Sequence, residues 1–439
     1  MSPDVSTAVV TPSPPLAGES LRQRLPLVAP APIDGRPVSL VTTAGGGIGL
    51  LVGRDLADDE RGRFHRGRLR RAYAVNRRSP LRDAVVYMSF GGLELSDGPL
   101  AVFNELRRRG AAYEHLWVVR DGMWQVPEGA TAVRADGTDF HSALASSRYL
   151  VVNDHLPTYV ERRTDQVVVQ TWHGTPLRRL GSDLTDTRGT PGARRFVAGP
   201  ADRWSYLVTP SALAAEVLTR VFDVAPEVID VGYPRADVLA APGLPERVRA
   251  LRAALGVPAD KKVLLYAPTY REHLANGAGE YALQPALDPD LARRALEPDW
   301  VLLVRRHRLM TREPLGLPAG YGFDVSDHPD ALTVAAAADA LVTDYSSLMF
   351  DFAVTGRPIV HLVDDLDTYE DNSGDLYVDL RRQGPGPVVA DTQGLVDRLA
   401  ALPDLQAEFA DRYATFAAAF APRPDAGAAA RVVDRVFGA

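Results

Sequence analysis

The sequence predicts an α/β protein built as two Rossmann-like lobes facing each other across a cleft. Three observations carry that prediction. From about residue 84 onward, short apolar runs of strand length alternate with amphipathic stretches of helical length. The alternation comes as two consecutive sets, the second beginning near Lys261. The chemically unusual residues fall just after the apolar runs. A strand–helix rhythm implies a parallel sheet covered on both faces, and ligands of such sheets bind at the carboxyl ends of the strands.

The elements follow in order. Residues 1–40 hold eight prolines and little periodicity, and read as a flexible tail. Residues 41–83 form a short N-terminal element: a strand or hairpin, an acidic turn at Asp58, Asp59 and Glu60, then a basic stretch. From Arg61 to Arg82 there are nine arginines and no acid. Residues 84–225 make the first lobe, with strands in AVVYMSF, HLWVV, YLVVND, VVVQTWHG and YLVTP and a helix over Leu100 to Arg109; VIDVG (228–232) completes the first set of strands just past that boundary. Residues 226–439 make the second, with KVLLYAPTY, WVLLVRRH, ALVTDYSS and PIVHLVDD. Its helices are read at Ser347 to Thr355, Thr392 to Ala401 and Leu405 to Phe420. The glycine-rich GGGIG at 45–49 lacks a following helix and an acidic partner, so it is not read as a dinucleotide fingerprint.

Composition excludes several function classes. Of 439 residues, 46% are hydrophobic and 24% charged, which excludes wholesale disorder. The net charge of −7 argues against a generic nucleic-acid binder. There is no cysteine, so disulfides, thiol catalysis and cysteine-ligated metals are excluded. The most apolar early stretch, Val38 to Val52, is too short to span a bilayer and contains three consecutive glycines. The N-terminus lacks the pattern of a signal peptide. A soluble or peripheral protein on the cytoplasmic side is the expectation.

Three strand-end motifs carry chemistry. In TWHGTP the strand ends at Gln170, and Trp172, His173, Gly174, Thr175 and Pro176 form the turn that follows. Glycine there lets backbone approach a ligand, and the imidazole can take a proton near neutral pH. A buried structural histidine beside a core tryptophan is the alternative. In LLVRRHRL, Arg305, Arg306 and His307 follow four apolar residues and could clamp a phosphate. A solvated basic loop is the alternative. In ALVTDYSSLMFDF, Asp344 or Ser346 can cap a helix whose first turn, with the Ser346 and Ser347 hydroxyls, suits an anion. Asp351, one turn on, could accept from a sugar or glycerol hydroxyl; a plain capped helix is the alternative. YAPTYRE adds Thr269 and Arg271. The triplets Asp288–Asp290 and Asp365–Asp367 are too short to argue a metal site, and no metal or cofactor is expected.

At these residues the chain resembles the CDP-glycerol glycerophosphotransferase family of teichoic acid polymerases and primases. The matching words are TWHGTPLRRLG (171–181), GYPRADVL (232–239), LLYAPTYRE (264–272), LVRRH (303–307) and LVTDYSSLMFDFAVTGRPIVHL (341–362), with SFGGLELSDGPLAVFNEL (89–106) as the first strand and helix. The resemblance implies a GT-B-like architecture, an acceptor-binding first lobe and a CDP-glycerol-binding second lobe. It implies transfer of glycerol phosphate to a hydroxyl of a lipid-linked polyol-phosphate or glycan acceptor, releasing CMP. It carries CDP-glycerol contacts onto Trp172, His173, Gly174, Thr175, Pro176, Arg235, Pro268, Thr269, Arg305, His307, Ser346, Ser347 and Asp351. His173 would be the base and His307 the second catalytic residue. The family's PRND word reads PRAD here, so Ala236 supplies no amide. A peripheral position on the inner membrane face follows, with the arginine stretch meeting anionic lipid and no nucleic acid as partner. A nucleotide-sugar glycosyltransferase and a non-catalytic polyanion binder are the rival readings.

Overall fold

The computed structural model describes residues 63–120, 126–183, 203–271, 274, 281–311, 314–366, 369, 376–423 and 425–438, together with strands at 7–8, 31–33, 36–42 and 48–52. It divides into two compact units, residues 1–95 with 112–168, and residues 96–111 with 169–439. The expected boundary lay at residue 225. The helix Asp97–Arg108 packs against the 3-10 turn Pro234–Leu239 and the helix Ala428–Phe437, which places it in the second unit.

In the first unit, β1 (Thr7–Ala8), β2 (Ala31–Ile33), β3 (Arg36–Thr42) and β4 (Ile48–Val52) pair antiparallel in the order β1-β4-β3-β2. Three of these strands lie wholly or largely inside the stretch expected to be a tail. The two prolines Pro32 and Pro37 stand opposite each other in the β2–β3 pair, and β2 is an edge strand, where proline is tolerated. The acidic turn at 58–60 lies outside the described residues. The arginine stretch forms the helix Arg63–Asn76, which packs Leu69 and Tyr73 toward the helix Thr138–Ser146. Arg68, Arg70, Arg71 and Arg78 are exposed. β5 (Arg82–Met88), β6 (Glu114–Val119), β7 (Thr131–Arg134) and β8 (Ser147–Val152) form a parallel set in the order β8-β5-β6-β7.

The second unit holds the end of β9 (Val167–Gln170), from Val169 on, with β10 (Tyr206–Thr209) and β11 (Glu227–Asp230), paired in parallel. It also holds a six-stranded parallel sheet of β12 (Lys262–Ala267), β13 (Trp300–Val304), β14 (Gly322–Asp324), β15 (Ala340–Thr343), β16 (Ile359–Leu362) and β17 (Val388–Val389). Its order is β14-β13-β12-β15-β16-β17. In chain order that is 3-2-1-4-5-6, the Rossmann arrangement, whose topological switch point lies between β12 and β15. The apolar runs are continuous because both faces are covered. Val263, Leu265, Val301, Leu303 and Leu341 bury on one face, and Leu264, Tyr266, Leu302, Val304 and Val342 on the other. Among the described residues, no helix is long and apolar enough to cross a membrane.

Candidate active site

The second unit assembles its polar residues at the carboxyl ends of β9, β12, β13 and β15. β9 ends at Gln170, whose Oε1 accepts from the Trp172 N–H at 2.9 Å. The chain then turns sharply. Trp172 has φ +49° and Gly174 has φ +135°, both in the left-handed region. The Trp172 ring is buried against Phe222 at 5.2 Å between centroids, and it stacks on the His173 ring at 4.4 Å. His173 is half-buried, so its imidazole is backed by the indole on one side while part of the residue meets solvent. Thr175 and Pro176 are buried.

The turn is pinned from beneath by an ion-pair cluster. Arg235 donates from Nη1 to the His173 carbonyl at 2.7 Å and to Asp97 Oδ2 at 3.0 Å. It also donates from Nε and Nη2 to the two oxygens of Asp351, at 3.1 and 2.5 Å. Burial acts to lower the Arg235 pKa, but the Asp351 and Asp97 carboxylates override it and raise the pKa. Arg235 and Asp351, both expected as ligand contacts, pair here with each other; Asp351 is buried and the Arg235 side chain is 13% exposed. Gly174 lies so close to the next element that a Cβ there would stand 2.6 Å from Ser347 Oγ. The TWHG turn and the YSS turn thus meet at Gly174 and Ser347.

A second Arg–carboxylate cluster holds the switch point. Asp344, just beyond β15, accepts from the Thr269 N–H at 2.8 Å and pairs with Arg271 at 2.9 Å. Arg271 also pairs with Asp365 at 2.7 Å. Asp344 therefore ties β12 to β15 rather than capping the helix. That helix is Leu348–Phe352, only five residues, and continues as a 3-10 turn at Ala353–Thr355 instead of one helix over 347–355. Ser347 is its N-cap without a side-chain bond, and Ser346 Oγ accepts from the Leu348 N–H at 3.2 Å. Pro268 is buried beside Thr269.

The expected triple cation at 305–307 separates. Arg306 is buried, pairs with Asp324 at 2.6 Å and donates to the Thr311 carbonyl at 2.8 Å, so the fold itself uses it. Arg305 donates to the Val325 and His328 carbonyls at 3.1 and 2.8 Å, ordering the segment after β14. His307 remains half-exposed. Its Nδ1 accepts from the Leu309 N–H at 3.2 Å, which assigns the proton of the neutral ring to Nε2. Its ring lies 4.9 Å from that of Tyr270, and Arg178, from the TWHGTPLR segment, lies 5.2 Å over the same Tyr270 ring. Asp97 and Tyr270 were not singled out from sequence. Of the two acidic triplets, Asp288 caps the helix Pro289–Leu296, Asp365 pairs with Arg271, and Asp367 lies outside the described residues.

Residues 71–438 match the family described as CDP-Glycerol:Poly(glycerophosphate) glycerophosphotransferase. The chain is 32% identical over 326 residues to the teichoic acid poly(glycerol phosphate) polymerase of Bacillus subtilis (strain 168), covering 72% of this chain and 44% of that protein. It is 30% identical over 366 residues to the teichoic acid glycerol-phosphate transferase of Staphylococcus aureus (strain NCTC 8325 / PS 47), covering 82% of this chain and 94% of that one. The chain spans less than half the length of the B. subtilis and Staphylococcus epidermidis polymerases it matches. The solved wall teichoic acid polymerase TagF superposes with a TM-score of 0.78 at 28% identity, covering 85% of this chain and 93% of that one, and the fold is α/β and GT-B-like. By the extent of the match across its length, the chain belongs to the CDP-glycerol:poly(glycerophosphate) glycerophosphotransferase family.

Proposed function

We propose that this chain transfers glycerol phosphate from CDP-glycerol to a hydroxyl of a membrane-linked polyol-phosphate or glycan acceptor, releasing CMP. One observation carries the reading. In a member of this family, the His173 turn closes directly onto Ser347 at the switch-point end of the six-stranded sheet. The backbone that carries a proton acceptor thus adjoins the Ser347 hydroxyl, a donor for phosphate.

In the reaction, the acceptor oxygen attacks the glycerol-bearing phosphorus and forms a new P–O bond. The bond from that phosphorus to the bridging oxygen breaks, and CMP leaves with the electron pair. His173 takes the hydroxyl proton. Charge growing on the phosphates is met by the Ser346 and Ser347 hydroxyls and the His307 Nε2–H. Trp172 backs the His173 ring. Arg235 and Asp351 act beneath the turn, and Arg305 orders the segment after β14, while Arg306 serves the fold. Thr269 and Pro268 line the β12 end. The exposed arginines of the helix Arg63–Asn76 suit an anionic membrane surface on the cytoplasmic side, where each basic residue contributes about 1 kcal/mol.

Incubation with CDP-glycerol, CDP-ribitol and UDP-sugars tests the reading. CMP release from CDP-glycerol in the presence of a glycerol-phosphate-primed acceptor supports it. UDP release from UDP-sugars assigns a glycosyltransferase instead, and no nucleotide release at all favours a polyanion binder.

A further inference from the structure

Asp97 is the one member of the buried cluster under His173 that comes from the helix Asp97–Arg108, far from the other parts in sequence. Its backbone is strained, with φ +65° at a non-glycine position. Strain of this kind persists where surrounding structure enforces it and collects at functional sites. The side chain is only 8% exposed. Its Oδ2 accepts from Arg235 Nη1, and its Oδ1 accepts from the Gly98 N–H at 2.6 Å.

The next residue strengthens the link. Gly98 packs on Thr171, immediately before the Trp172 turn; a Cβ at Gly98 would stand 2.6 Å from Thr171 Cβ. The start of this helix therefore supports the His173 turn twice, by backbone packing at Thr171 and through Arg235 at the His173 carbonyl. A guanidinium has five N–H donors, and Arg235 makes four hydrogen bonds, all to Asp97, Asp351 and the His173 carbonyl. It is arranged to hold protein, with little left for a ligand.

We infer that Asp97 is a positioning residue for the transfer reaction: it orients Arg235, and Arg235 fixes the backbone that carries the His173 imidazole. The inference rests on the proposed role of His173 as the base. Asp97 touches no substrate. Its contribution is the placement of the ring, so it affects turnover rather than the affinity for CDP-glycerol. One guanidinium faces two carboxylates here, so Asp97 is required as an acceptor of Arg235 and not as a charge. Asparagine keeps one acceptor oxygen, which can face Arg235 while its NH2 gives up the bond from the Gly98 N–H, and it tolerates φ above zero. Glycine tolerates the same backbone but removes the acceptor.

The test compares Asp97→Gly and Asp97→Asn with wild type in CMP release, and follows amide hydrogen exchange at residues 171–175. Asp97→Gly should lower kcat by at least about tenfold with KM for CDP-glycerol within about threefold, and should speed exchange across the turn. Asp97→Asn should restore kcat to within about threefold of wild type and leave exchange slow. If Asp97→Gly does not fold, Arg235→Lys replaces it, because an ammonium cannot reach Asp351 and the His173 carbonyl together; the same split in kcat is expected. Wild-type kcat in Asp97→Gly, a loss carried by KM alone, or equal loss in both Asp97 variants overturns the inference. If wild type itself releases no CMP from CDP-glycerol, the proposed function fails. The exchange arm then still decides whether Asp97 holds the turn: unchanged exchange in Asp97→Gly refutes that as well.

Discussion

Replacing Gly174 by alanine tests whether the close approach of the His173 turn to Ser347 is required. The new Cβ would stand 2.6 Å from Ser347 Oγ, 3.0 Å from Ser347 Cβ and 2.9 Å from Arg235 Nη2. Ordinary contact begins near 3.4 Å. The turn must therefore withdraw by about 0.8 Å, and a misplacement of about 1 Å costs on the order of 10²-fold in rate. The φ of +135° adds backbone strain of about 1–3 kcal/mol for any residue with a Cβ. A combined Gly174→Ala, Ser347→Gly chain removes two of the three obstructing atoms and should recover part of the stability but not the backbone strain. The assay is CMP release at saturating CDP-glycerol, with thermal unfolding measured alongside. The expected result is a folded Gly174→Ala protein whose kcat is lower by about 10²-fold. Wild-type kcat in that folded variant would show that His173 and Ser347 need not be held together, and the reasoning would fail.

Two further outcomes follow from the structure. His361 on β16 is fully buried, and burial pushes its pKa down to about 4. Between about pH 4 and 6.5 the unfolded chain binds a proton that the folded chain does not, so this group's stability is present above pH 6.5 and lost as pH falls, on the order of 3 kcal/mol in all. Asp237 works the other way: burial raises its pKa to about 6, and its contribution is lost as pH rises through that value. Urea unfolding of His361→Gln beside wild type from pH 4.5 to 7 separates the two; the variant should lack the His361 slope, and parallel curves would refute the assignment. For the membrane surface, changing Arg66, Arg68, Arg70 and Arg71 to Ser should abolish salt-sensitive sedimentation with anionic liposomes, since salt screens such attraction within roughly 10 Å. Binding that ignores both lipid charge and these substitutions removes that part of the reading.

The parts legible in the sequence were those with local causes. KVLLYA, WVLLV, ALVT and IVHL are apolar runs because both faces of their sheet are covered, and each appears as a strand. The TWHG and YSS words follow such runs, so their position at strand ends was readable. Pairing over distance was not. Asp97 and Arg235 are separated by 138 positions, and no local pattern joins them. Arg305 and Arg306 read as a clamp because sequence gives charge without direction; one turns to Asp324 and the other to backbone carbonyls. Asp351 read as a free acceptor for the same reason. The N-terminal strands were hidden by proline content, although Asp34 and Gly35 between Ile33 and Arg36 form the dipeptide favoured in two-residue hairpin links.

The measurement that bears most directly on the account is turnover by His173→Ala with CDP-glycerol and a primed acceptor, beside calorimetric binding of CDP-glycerol. Loss of a positioned base lowers the rate by on the order of 10²–10⁴. The account predicts a loss in that range with CDP-glycerol affinity within a fewfold of wild type, because the substitution leaves the proposed phosphate contacts at Ser346, Ser347 and His307 untouched. Normal CMP release by a folded His173→Ala protein would contradict it.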